Sequence, residues 1–299
     1  MIVTLASLAT EFLERPGLAA TTLRSYESTL MPLLKEYGRW PVESLERQRV
    51  VEYLNQITDV LYTTHHRHQA VITALFNFAL EQGYVKSHPI SKLKRRKPNR
   101  AEGEHATDEN VRYLTKEQLG ILYQVVKKDA RMSALVHLLH SSGARISEVL
   151  ALDLEEIDIN TRKFQVVGKG NKTRWCFYSE DAAKSLNYYI KYYRYPNYSA
   201  LFTAEQPFTR SYSRLSYRAA YQSWTDLKGN EIQLQGIRFH DLRHTFATER
   251  VGLMGIEELR ALMGHENIQT TLRYSKVTSQ RAEQVAQLAF EKLSAYRES

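Results

Sequence analysis

Between Ser87 and Arg100 the chain reads SHPISKLKRRKPNR, and no other stretch limits the possible folds as much. Pro89 and Pro98 discourage helix at the residues that precede them. Around them stand Lys92, Lys94, Arg95, Arg96, Lys97 and Arg100, with no acid interrupting the run. Like charges packed this closely repel one another, so the stretch reads as a solvated linker and not as core. The apolar patterning also changes across it. The expectation is therefore two domains, residues 1–85 and 113–299, joined by a basic linker over 86–112. A chain of 299 residues has ample material for a buried core in such an arrangement.

Residues 3–83 carry several helical patterns and no hairpin signal. The start, MIVTLASLATEFLERPG, lacks the basic leading region of a signal peptide and meets Glu11 early, so it reads as a first helix. A second helix near Ala19–Tyr37 has Thr21 or Thr22 as its cap and Leu23, Tyr26, Leu30 and Leu33 or Leu34 on one face. A third lies near Val42–Gln56, and a fourth runs from Thr63 to Gln82 with Gly83 as its stop. Arg24, His65, His66, Arg67 and His68 fall on polar faces, either solvated or turned toward a polyanion.

The net charge of +8 fits such a partner, and fits a plain basic protein as well. No stretch approaches the roughly 18 apolar residues of a membrane span. The single cysteine, Cys176, excludes an internal disulfide and a Cys-rich metal site, in keeping with a reducing cytoplasm.

From Tyr113 onward the pattern mixes. LTKEQLGILYQVVKKDA reads as a helix capped at Thr115, and RMSALVHLLHSSG as a buried helix stopped by Gly143. The chain then turns through Ala144, Arg145 and Ile146 into a helix capped by Ser147, which places Arg145 at a junction where its guanidinium can reach a pocket. Glu148 reads as a buttress for that region. KFQVVGKGNKTRWCFYS is a β-hairpin turning at Gly168-Lys169-Gly170-Asn171. The glycines on either side let the backbone at Lys169 approach a groove closely. GxxxxGK[ST] is not matched there, so no nucleotide site is inferred.

EDAAKSLNYYIKYYRYPNYS forms a helix ending before Pro196, its tyrosines read as core or interface in preference to base stacking. Residues 201–236 look irregular, with Arg210, Arg214 and Arg218 as possible phosphate contacts. RAEQVAQLAFEKLSAY, near the carboxyl end, reads as an amphipathic helix.

Residues 239–277 concentrate chemistry. They hold His240, Arg243, His265 and Tyr274, to which Arg145 and Lys169 add two more cations. A phosphodiester attacked by a phenol needs that inventory. Negative charge grows on the non-bridging oxygens, and only contacts that strengthen in the transition state speed the reaction. Arginine grips two phosphate oxygens through a planar fork and keeps its charge. Tyrosine is a covalent nucleophile whose pKa of about 10 makes ionisation at neutral pH cost roughly 4 kcal/mol, much of which nearby cations offset.

Two rival readings attach to the same block. His240 and His244 stand at i and i+4, as in a zinc helix, but Asp241 replaces the glutamate of HExxH and no third ligand is evident, so no metal is assigned. GIEELRALMGHENIQTTLRYSKV also reads as helix, turn, helix, which a DNA-binding regulator without catalysis would share.

These residues resemble the tyrosine recombinases, the phage integrases and Xer-type proteins. The resemblance rests on Arg145 with Glu148, on Lys169 in a hairpin, on His240-x-x-Arg243, and on Gly264-His265 with Tyr274 nine residues later. It is firm over residues 113–277 and looser before. Trp175-Cys176-Phe177 stands where many relatives carry Pro-Leu. The resemblance implies a mainly α fold with a small β-sheet or hairpin. Two domains, a helical core-binding domain (SAM-like) and a recombinase catalytic domain ending in an exchange helix, would form a C-shaped clamp.

By the same resemblance Tyr274 attacks a DNA phosphate to leave a 3′-phosphotyrosyl bond, Arg145 and Arg243 clamp its oxygens, and His265 hydrogen-bonds it. Lys169 protonates the leaving 5′ oxygen, and His240 acts as base toward Tyr274. No cofactor is expected. The partners implied are double-stranded DNA with inverted-repeat core sites and further copies of the chain, in a tetramer on two sites linked through the carboxyl-terminal helix. Lys92, Lys94, Arg95, Arg96 and Lys97, with Lys172 and Arg174 past the hairpin turn, are candidate DNA contacts. A type IB topoisomerase, which reseals the same strand, remains an alternative beside the non-enzymatic regulator.

Overall fold

The computed structural model describes residues 2–58, 60–102, 104, 111–168, 172–206, 209–229, 231–275, 286–287 and 290. Lys169 and nearly all of the expected exchange helix lie outside them. The chain divides into two compact units, Met1–Asn110 and Val111–Ser299. The fold is mostly helical with small antiparallel sheets, as the sequence implied. Among the described residues no helix is long and apolar enough to cross a membrane.

In the first unit, α1 (Leu5–Glu14) starts where Thr4 accepts a hydrogen bond from the backbone of Ser7. Its Leu5, Leu8, Ala9 and Phe12 recur every three or four residues and are buried. They pack with Leu30 and Leu33 of α2 (Ala20–Tyr37) and with Ile72, Leu75, Phe76 and Ala79 of α4 (Tyr62–Glu81). The expected Thr cap of α2 is absent: the helix opens at Ala20, and Ala19 makes no side-chain capping bond. The third expected helix divides into a short 3-10 turn, Val42–Ser44, and α3 (Arg47–Gln56). His65 is buried, and its Nε2 meets the carbonyl of Leu54 at 2.9 Å, so it ties α4 to α3 instead of facing outward.

The basic run lies in this unit. Val85 and Ile90 are buried in its core, and Lys92, Lys94, Arg95, Arg96 and Lys97 stay exposed. Arg96 pairs with Glu104 at 2.8 Å, and Glu104 also takes the backbone N–H of Tyr62.

The second unit begins with α5 (Lys116–Val126), which carries a capping box between Thr115 and Gln118. Next comes α6 (Ala130–Ser142), capped by Asp129 and ended by Gly143 in the left-handed conformation. Then α7 (Ile146–Ala151) starts two residues earlier than a Ser147 cap would give, with Arg145 in the cap position. The reason is Glu148, whose carboxylate reaches back to accept the backbone N–H of Arg145 at 2.7 Å.

The strands β1 (Ile157–Asp158), β2 (Lys163–Val167) and β3 (Thr173–Phe177) form an antiparallel sheet in that order. Gly168 donates its N–H to the carbonyl of Lys172 at 2.7 Å at the base of the expected hairpin. Beyond α8 (Glu180–Tyr192), residues read as irregular hold a second hairpin, β4 (Thr203–Glu205) with β5 (Tyr212–Arg214), and then α9 (Tyr217–Lys228). Short strands and a helix that fully buries only Ala220 and Trp224 leave too little periodicity to read locally.

The large core of this unit joins α5, α6, α8 and α9 to the sheet. A smaller cluster of Phe246, Ala247, Leu259, Met263 and Tyr274 packs the last three described helices, α10 (Phe239–Arg250), α11 (Ile256–Met263) and α12 (Ile268–Ser275).

Candidate active site

Two helix ends build the site. Helix α6 stops at Gly143 (φ +64°) and α11 at Gly264 (φ +62°), each in the left-handed region that glycine adopts without strain. The terminal carbonyls of helices are left without intrahelical partners and carry the negative end of the helix dipole. Arg243, projecting from α10, supplies the missing donors. Its Nη1 donates to the carbonyl of Gly143 at 2.5 Å, and its Nη2 to the carbonyl of Met263. The side chain is 2% exposed. The two turns then deliver the next residues of interest, Arg145 two positions after one glycine and His265 immediately after the other.

His265 lies against Arg243, with Nε2 3.2 Å from the arginine Nη2. Its Nδ1 is 2.9 Å from Oγ1 of Thr271, a fully buried residue of α12. Arginine can only donate, so Nε2 accepts and Nδ1 carries the proton toward Thr271. Burial first, then Arg243, Arg145 and Arg174, hold the His265 pKa down at about 3, so the ring is neutral. Burial and the neighbouring Arg145 and Arg174 also lower Arg243, to about 10, which leaves it charged at neutral pH.

Arg145, Glu148 and Arg174 form the second layer. Glu148 accepts from Nη1 of Arg145 at 2.9 Å and from Nη1 and Nη2 of Arg174 at 2.9 and 2.7 Å. Burial would raise this carboxyl, but the hydrogen bonds from Arg174 and Arg145 outweigh it and hold the pKa at about 2. Nε of Arg174 donates to the carbonyl of Leu262 at 3.1 Å, so this guanidinium is bonded at every nitrogen within the protein. Its side chain also lies over Gly264, where an added Cβ would come within 2.8 Å of it. Arg145 keeps 39% of its side chain exposed. Lys172 is exposed and 3.6 Å from Glu266.

Tyr274 on α12 is 3% exposed, with its ring parallel to that of His265 at a centroid distance of 6.3 Å. Burial raises its pKa, and Arg243, Arg273 and Arg145 pull the other way. Its hydroxyl lies 2.8 Å from Nδ1 of His244, not from His240. His244 is held at a pKa of about 4, by burial and then by His240. His240, one turn earlier on α10, meets His244 edge to face with centroids 4.5 Å apart. The protein packed around it lowers its pKa as well, with Arg243 adding to the effect.

Arg145, Arg243, His265, Tyr274 and His240 are therefore gathered in one place. Arg214 has a different position: it donates to the carbonyls of Leu150, Ala151 and Leu152 and pairs with Asp153 at 2.5 Å, which closes the end of α7. Among the described residues no three His, Cys, Asp or Glu side chains come together as a metal cradle. Sequence reasoning assigned no part to His244 beyond the zinc alternative, and none to Thr271. The one local signal for His244 was its i, i+4 relation to His240.

The profile described as the phage integrase family matches residues 112–281 of this chain. The chain belongs to the phage integrase family. Enzymes of this family cleave and rejoin DNA, which favours the recombinase over both the regulator and the topoisomerase. The tyrosine recombinase XerC of Staphylococcus haemolyticus is 24% identical over 89% of this chain and 90% of its own length. Solved structures share the fold at lower identity. The Tn1549 transposon integrase in complex with a circular intermediate DNA superposes with a TM-score of 0.73 at 18% identity, over 97% of this chain and 99% of that one. A lambda integrase dimer bound to a core site gives 0.70 at 15%, over 91% and 95%.

Proposed function

We propose that this integrase-family chain is a site-specific recombinase in which Tyr274 attacks a DNA phosphate held by Arg145, Arg243 and His265. The Oη–P bond forms, the P–O5′ bond breaks, and a 3′-phosphotyrosyl linkage remains beside a free 5′ hydroxyl. One ester replaces another, so the step conserves the energy that later rejoins the strands. The observation that carries the reading is the contact of buried Arg243 with His265, beneath which the Tyr274 ring lies parallel.

Three Arg243 contacts within the protein, to Gly143, Met263 and His265, leave donors among its five N–H groups for a phosphate oxygen. Arg145, half-exposed, swings onto the second oxygen. Charges fixed in this way are preorganised for the transition state. Lys169, outside the described residues, protonates the leaving 5′ oxygen, and His240 assists proton transfer. His265 turns its Nε2 to the phosphate as a donor once the Thr271 hydroxyl donates to Nδ1.

The substrate is double-stranded DNA with inverted-repeat core sites, met in the cytoplasm. Exchange takes place in a tetramer on two sites, linked by the carboxyl-terminal helix. Residues 1–85 form the core-binding domain, and Lys92, Lys94, Arg95, Arg96, Lys97 and Lys172 contact phosphates. Arg174 acts mainly as the strut that holds Glu148 and the Gly264 turn.

A nicked suicide duplex tests the nucleophile. The wild type traps a covalent protein–DNA adduct, and Tyr274→Phe traps none while still binding. An adduct that persists in Tyr274→Phe removes the assignment.

A further inference from the structure

We infer that His244, and not His240, is the base that takes the phenolic proton from Tyr274. This rests on the reading of Tyr274 as nucleophile. The geometry is direct: Nδ1 of His244 lies 2.8 Å from the tyrosine Oη, and the two rings pack with centroids 5.7 Å apart. His240 stands one turn earlier on α10 and packs edge to face against the His244 ring. The two partners are brought together from positions 30 residues apart by the small apolar cluster that includes Phe246, Met263 and Tyr274 itself.

An unprotonated Nδ1 accepts the hydrogen bond and aims a lone pair of Oη away from the imidazole. As Oη bonds to phosphorus, its proton passes to Nδ1, the P–O5′ bond breaks, and the leaving oxygen takes a proton from the general acid. Rejoining runs the same path backward: the 5′ hydroxyl attacks phosphorus, the Oη–P bond breaks, and His244 returns the proton to the phenolate. A ring kept neutral in the resting protein is ready to accept at the outset. A scissile phosphate brings negative charge into a site now crowded with guanidinium groups, which favours the imidazolium formed in the transfer.

The test uses the full chain and two suicide duplexes, one with an ordinary 5′ oxygen at the scissile phosphate and one with a bridging 5′ sulfur. A thiolate leaves without a proton, so the sulfur substrate bypasses the general acid and leaves any base requirement in place. His244→Asn keeps an acceptor near the position of Nδ1 but removes the basicity. DNA binding should stay within about threefold of the wild type, and single-turnover cleavage should slow by about 100-fold or more, on both substrates alike. Cleavage at the wild-type rate or faster, or a rate restored by the sulfur substrate, overturns the proposal.

Tyr274→Phe, run beside it, separates the two readings. An adduct in that variant removes the nucleophile itself, whereas no adduct there together with full-speed His244→Asn removes only the base. Nitrogen NMR of the wild type labelled in histidine needs no change at position 244. It should show the proton of His244 on Nε2, and a protonated Nδ1 overturns the assignment even if the variant does not fold.

Discussion

A buried arginine is costly unless its donors are met, and Arg243 meets the cost with the carbonyls at two helix ends. The same arrangement packs cations around neutral histidines, with Glu148 as the carboxylate between Arg145 and Arg174. Acid should loosen it in a defined order. His244 and His265 have folded pKa values held near 4 and 3, below the ordinary 6.5. Their contribution is complete above about pH 6.5 and is lost as pH falls toward those values. Glu148, held near 2 against an ordinary 4.5, contributes in full above about pH 4.5 and loses that progressively as pH falls from there through 2. For Glu148 this amounts to about 3 kcal/mol. Thermal unfolding followed from pH 7 to 4 should show a falling midpoint, and His265→Gln should flatten that fall. A midpoint constant over this range in the wild type contradicts the arrangement. At this scale the residue types were readable from sequence, because phosphate chemistry demands arginine, histidine and a phenol. The partner of Tyr274 was not, since His240 and His244 share one face of α10 a turn apart, and the level at which α12 packs along that helix decides between them.

Among elements, the turns after α6 and α11 do the positioning, and both depend on glycine. An alanine at 143 would put Cβ 2.4 Å from the Phe246 ring, in a conformation at φ +64° that L side chains resist. Left-handed backbone costs about 1–2 kcal/mol and overpacking a further 1–3. Gly143→Ala should therefore lose roughly 2–5 kcal/mol in urea unfolding. It should also lose cleavage beyond what unfolding explains, because the Gly143 carbonyl is an acceptor for Arg243. Wild-type stability in this variant rules out the turn as drawn. Helices with a strong apolar stripe or an explicit cap, such as α1 and α5, were legible locally. The start of α7 was misread by two residues because a carboxylate three positions beyond the true cap decides it, and α9 was missed because it fully buries only Ala220 and Trp224.

For the whole molecule, the positive charge matters through its placement. Lys92, Lys94, Arg95 and Lys97 are exposed on the first unit, where each can displace a counterion from a DNA phosphate. Replacing Lys92, Lys94 and Lys97 with glutamine should weaken DNA binding and lower the slope of log affinity against log salt by about one for each phosphate left without its lysine. An unchanged slope in a fluorescence titration removes these residues from the interface.

By itself the sequence determined the helical class, the early hairpin and the inventory of groups for phosphate chemistry. Each of these is written within a window of a few residues, as periodicity, turn residues or side-chain type. Only the tertiary structure decided that Arg243 spans two helix ends, that Arg174 is spent on Glu148, and that His244 meets the tyrosine. Those outcomes join residues 20 to 100 positions apart, and which of many compatible cations and rings meet there is settled by how the helices pack.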